Sequence, residues 1–115
     1  MPRKNDTMSS VTLDGRRIAN WKAFHDECQA AFGFPDFYGR NMDAWIDCLG
    51  GLRDGDGMTK FTLLPDDMLR IEVLHTDYLR QQAPDILEAL EECAAEVNER
   101  CIESGQRPPL SLLLR

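Results

Sequence analysis

The sequence predicts an α/β fold, a three-stranded parallel sheet packed with about four helices in the order β-α-α-β-α-α-β. Three observations predict it. Short runs rich in Val, Ile and Leu occur near 10–13, 69–75 and 110–114. The stretches between them carry apolar residues at helical spacing. Each of those stretches holds start and stop signals for more than one helix. Strands separated by helices pair in parallel, through crossovers that lay the helices on the sheet.

The elements follow in order. Residues 1–9 are polar and are expected to be a flexible N-terminal segment, leaving 10–115 as one domain. Ser10-Val-Thr-Leu13 reads as a short strand, stopped by the turn dipeptide Asp14-Gly15. Asn20 suits an N-cap, because its short side chain can accept from a free helical N–H. Trp21, Phe24, Cys28 and Ala31 then recur at helical spacing, and Gly33 closes the element. Phe34-Pro35-Asp36 is a break. Asn41 caps the next helix, with Asp43 in its first turn, where the helix dipole favours an anion. Gly50-Gly51 end it, and 52–60 is a loop.

Leu69 to His75 is the clearest strand, with Leu69, Ile71 and Val73 on one face. Residues 76–82 make a short helix. Pro84 opens a long one, since proline at a first-turn position loses no hydrogen bond. Ile86, Leu90, Cys93 and Val97 form its apolar stripe, and Gly105 can end it. Pro108-Pro109 break the chain, and Leu110 to Leu114 read as a buried final strand.

Composition narrows the function. The chain of 115 residues is 43% apolar, enough for one core, and carries a formal charge of −7. Such a surface repels nucleic acid and anionic lipid and favours basic partners. The charge is uneven: residues 1–20 have a net +2, whereas 84–104 carry seven acids against Arg100 alone, a net −6. No run is long enough to span a membrane, and the N-terminus shows no secretory h-region, so a cytoplasmic protein is expected. The four cysteines form no CxxC pair; Cys28, Cys48 and Cys93 fall in apolar patterns and are expected to act as small hydrophobes.

On a helical wheel, Met42, Trp45, Ile46 and Leu49 make the core face of the second helix. Asp43 and Asp47 fall together on a flank beside Ala44 and Cys48. Like charges one turn apart weaken a helix by about 0.2–0.5 kcal/mol, and Asp47 lies past the turn where the dipole helps. Two readings remain open from the residues: a solvated face, or an acidic pair exposed for a docking partner. The long helix carries a second acidic stripe, Glu88, Glu92, Glu96, Glu99 and Glu103. Neither His25 nor His75 has metal-ligand spacing, and Asp54-Gly-Asp-Gly57 lacks the ligands of a calcium loop and reads as a turn. No nucleophile–base pair or phosphate loop is present.

The stretch Phe34-Pro-Asp-Phe-Tyr-Gly-Arg-Asn-Met-Asp-Ala-Trp-Ile-Asp-Cys-Leu-Gly-Gly51 resembles the signature of the barstars, intracellular inhibitors of barnase-type secreted ribonucleases. The pattern is met by Pro35, Phe37, Tyr38, Gly39, Asn41, Asp43, Ala44, Asp47, Cys48 and Leu49. The resemblance implies a three-stranded parallel sheet whose second helix and preceding loop plug the ribonuclease active site. By position, Asp47 would take the place of a substrate phosphate and Asp43 would face a basic side chain. Phe37, Tyr38, Gly39 and Asn41 would contact the enzyme from the loop. Ala44 and Gly51 would complete the surface, and Glu92 would add a charge pair from the long helix. It implies no enzyme activity, no cofactor and no metal, and a protein that is a monomer when free. The partner would be a basic microbial ribonuclease or a ribonuclease toxin domain. The alternative is a barstar-like acidic interaction module with a basic partner of another kind.

Overall fold

The computed structural model describes residues 8–115. The expected flexible segment falls, over residues 1–7, outside the described residues. Three strands, β1 (Met8–Asp14), β2 (Met68–Leu74) and β3 (Leu110–Leu114), form one parallel sheet in the order β1-β2-β3. Helices α1 (Trp21–Phe32) and α2 (Met42–Gly50) join β1 to β2, and α3 (Thr76–Gln82) and α4 (Pro84–Glu103) join β2 to β3. The order and the sheet are those the sequence predicts. Strand β1 starts two residues earlier than expected, and His75 leaves β2 to precede α3 in a left-handed conformation, φ 55°.

Register explains which sheet face is the core. Val11, Ile71 and Leu112 align across the sheet, as do Leu13, Val73 and Leu114. The alternate row, Thr12, Glu72 and Leu113, faces the other way. Ile71 and Val73 are fully buried, whereas Thr12 is exposed. The helices therefore cover one face, and the other is left to solvent. This corrects the reading of the last strand as buried. Only Leu110 is; Leu112, Leu113 and Leu114 are half-buried, because β3 is an edge strand of a sheet covered on one side.

The helix caps form as the residue types dictate. Asn20 accepts from the Ala23 N–H at 2.8 Å, and Asn41 accepts from the Ala44 N–H at 2.8 Å. Gly33 closes α1 at φ 73°. Gly15 answers a different demand. Its N–H donates to the Leu74 carbonyl at 2.7 Å, and a Cβ there would lie 2.6 Å from the His75 oxygen. Only glycine lets the β1 turn pass so close to the end of β2.

Buried residues of α1 are Phe24, His25, Cys28 and Phe32, so Phe32 rather than Ala31 completes its inward stripe. In α4 the inward stripe is Ile86, Leu87, Leu90, Ala94, Val97 and Cys101, with Cys93 half-buried. Helix α2 packs on α4. The segment 52–67 is a packed loop. Leu52 and Leu63 are buried anchors joined by a backbone hydrogen bond of 2.8 Å. Arg53 donates to the carbonyls of Leu64, Asp67 and Arg107 at 3.2, 2.9 and 2.6 Å, pinning the loop to the α4–β3 connection. All four cysteines carry free thiols. No helix among the described residues is long and apolar enough to cross a membrane.

Candidate functional site

An aromatic chain holds the loop 34–41 in place. Trp45 of α2 meets Phe32 edge-on, with centroids 6.1 Å apart; Phe32 stacks on Phe34 at 5.2 Å, and Phe34 meets Tyr38 at 4.5 Å. Each such pair adds about 0.5–1.5 kcal/mol beyond its area. Tyr38 is buried and shares a 2.7 Å hydrogen bond with Nδ1 of buried His25. Burial pushes the His25 pKa below its usual value, with the nearby Arg40 charge acting in the same direction and Asp26 opposing. Burial also raises the Tyr38 hydroxyl. Arg40, at φ 56°, clamps the loop from outside: its guanidinium donates to Asp26 at 2.6 Å and to the Lys22 carbonyl at 3.2 Å.

Phe37 points the other way, 76% exposed at the tip of this braced loop. Gly39 is exposed and lies under the Asn41 amide, which donates to the Gly39 carbonyl at 3.2 Å. A rigid loop thus presents one large apolar side chain beside the N-terminus of α2.

Along α2, Trp45, Ile46, Cys48 and Leu49 are buried, whereas Asp43 and Asp47 are exposed. Ala44 and Met42 are half-buried. Cys48 corrects the helical wheel. It is not part of an exposed flank: it is buried as a member of the hydrophobic core. Burial raises its thiol pKa, and the Asp47 and Asp56 charges add to that rise. Gly51 is buried against the loop 52–67, where a Cβ would collide with the Asp56 carboxylate.

The contact between α2 and α4 joins the two acidic stripes. Cys93 of α4 lies at their seam: burial raises its thiol, and Glu92, Asp43 and Glu96 raise it further. Asp43 and Asp47 of α2, with Glu92 and Glu96 of α4, therefore form one negative face. The side chain of Asp47 is 73% exposed. Among the described residues no group of three or more His, Cys, Asp or Glu side chains could hold a metal ion.

A face of this kind suits a cationic protein surface, and comparison with known proteins gives it a lineage. The family model described as Barstar (barnase inhibitor) matches residues 8–114. The chain belongs to the barstar family. It is also 35% identical over 92 residues to the Bacillus subtilis (strain 168) protein named "Putative ribonuclease inhibitor YrdF", a match covering 80% of this chain and 92% of that one. A barnase-inhibitor-like role goes with this membership.

On this barstar-family framework the expected contact residues divide by burial. Phe37, Gly39, Asn41, Asp43, Asp47 and Glu92 are exposed, Ala44 is half-buried, and Tyr38 and Gly51 are buried. Sequence reasoning missed three residues that shape the face: His25 behind the loop, Arg40 across it, and Arg100 on α4. Arg100 carried a signal, being the one cation in an acidic helix. His25 and Arg40 carried none, since their partners are 13 and 14 residues away.

Proposed function

We propose that this protein is a stoichiometric inhibitor of a basic barnase-type ribonuclease, whose active site it plugs with α2 and the loop 34–41. The observation that carries the reading is the pair of exposed carboxylates, Asp43 and Asp47, on a helix whose opposite side is locked in the core. A ribonuclease site must be electropositive to hold RNA phosphates. Asp47 stands in for a phosphate among the enzyme's cationic groups, forming charge-assisted hydrogen bonds once water is excluded. Asp43 and Glu92 meet basic side chains around it, and Phe37 packs at the rim. The name of the Bacillus subtilis relative supports the same target class. The inhibitor acts in the cytoplasm as an immunity protein, as a monomer and without a cofactor.

The test is an RNA-cleavage assay against a barnase-type ribonuclease, with wild type and Asp47→Ala. Wild type should titrate the activity at one equivalent. Asp47→Ala should keep its fold, with stability changed by no more than about 0.5 kcal/mol because the side chain is exposed. It should lose about 2–5 kcal/mol of binding. Equal inhibition by a folded Asp47→Ala protein would exclude the plug. If the acidic face captured a basic protein that is not a nuclease, the target class would be wrong.

A further inference from the structure

Asp47 does not stand alone. Arg100 Nη1 lies 3.7 Å from Asp47 Oδ1, and Arg100 Nε donates to Glu96 Oε2 at 2.8 Å. The guanidinium thus bridges an acid of α2 and an acid of α4. Arg100 is in the last turn of α4, where the free carbonyls favour a cation. It borders a cleft of about 290 Å³ at the C-terminal ends of α2 and α4, lined also by Asp47, Gly50, Asp54 and Ser104. Glycine at position 50 leaves this cleft open, with nothing within 4 Å of where a Cβ would be.

We propose that Arg100 is a specificity-determining residue: it is the acidic face's own counter-ion, occupying the side of Asp47 that a partner's cation would use, and docking displaces it. This rests on the face being the ribonuclease-binding surface. At 3.7 Å the pair is longer than a hydrogen bond, and both side chains are more than half exposed. Such a pair is worth little, so displacement is easy. Its consequence lies in what is left behind. A guanidinium that engages both oxygens of Asp47 outcompetes Arg100, because the bidentate geometry is stronger than a loose contact. A partner offering only a lysine ammonium there gains less, and still meets the displaced positive charge. Arg100 therefore rejects cationic proteins that lack a well-placed arginine, through repulsion rather than attraction.

The experiment compares wild type with Arg100→Gln, which lies on an exposed position and keeps the fold. Three ligands are used: a barnase-type ribonuclease, and tetra-arginine and tetra-lysine amide peptides, each followed by chemical-shift titration. Arg100→Gln should bind all three more tightly, within the range of about two- to fivefold expected for losing an exposed competing pair, with the larger gain for tetra-lysine. Arg80→Gln removes the same charge from an ion pair within α3 and should give less than half that gain. In an Asp47→Asn background the gain should fall to that of Arg80→Gln. Binding of the peptides by Arg100→Gln no tighter than by wild type, a gain above that of Arg80→Gln that persists without Asp47, or a gain no larger for tetra-lysine than for tetra-arginine would overturn the proposal. If the ribonuclease binds neither protein while the peptides show the Asp47-dependent gain, the role of Arg100 stands and the ribonuclease reading falls.

Discussion

Phe37 and Tyr38 are adjacent aromatics with opposite environments, and the difference shows how a surface loop is stiffened. Tyr38 is spent on the core, where its hydroxyl finds His25; Phe37 is left to solvent. His25 makes the arrangement sensitive to acid. It is only 5% exposed, and burial holds its folded-state pKa below the unfolded value of about 6.5. The unfolded chain therefore binds the proton first as pH falls. Stability is complete above about pH 6.5 and declines as pH drops from there toward the folded-state pKa. Urea melts at about pH 7.5 and 5.5 should show a lower midpoint at the acid value, and His25→Gln should reduce that difference. An unchanged slope in His25→Gln would assign the acid sensitivity to the carboxylates instead. Amide signals of 34–41 should broaden before those of the sheet, since this loop is what His25 supports.

Among the elements, α2 and the loop that follows it form one working unit. The cap at Asn41 sets where α2 begins, and Trp45, Ile46 and Leu49 fix its rotation, so the two aspartates cannot turn inward. The loop 52–67 then closes on Gly51 through Asp56. It is held by Arg53, whose three carbonyl partners come from the loop and from the connection after α4. Removing a charged donor from such acceptors costs about 1–3 kcal/mol. Arg53→Ala should therefore lower stability by that amount. Hydrogen exchange should rise at Leu63 and Asp67, whose amides bond within the loop. If exchange there stayed as slow as in β2, Leu52 and Leu63 alone would be shown to anchor it. The aspartates at 43 and 47 should keep their geometry, since α2 is held separately against α4.

For the whole molecule, the decisive property is where the negative charge sits. A net −7 spread evenly would give solubility. Packing α2 on α4 gathers much of it on one face, and under the proposed function that face would steer a cationic partner before contact. Association with a ribonuclease should slow as salt is raised from about 50 to 500 mM, while dissociation changes little. A stopped-flow rate that ignores ionic strength would contradict steering. Much of this was legible in the sequence. Parallel strands, caps at Asn20 and Asn41, the proline start of α4 and the outward placement of Asp43 and Asp47 all depend on local patterns. Local steric and hydrogen-bonding rules suffice for those. The burial of Cys48, the half-covered β3, the arrangement of Tyr38 with His25 and the pairing of Asp47 with Arg100 were settled only by the tertiary structure. Each depends on residues far apart in the chain being brought together, and a helical wheel knows only its own helix. The sequence determined that there would be an acidic ridge; packing decided what lies beside it.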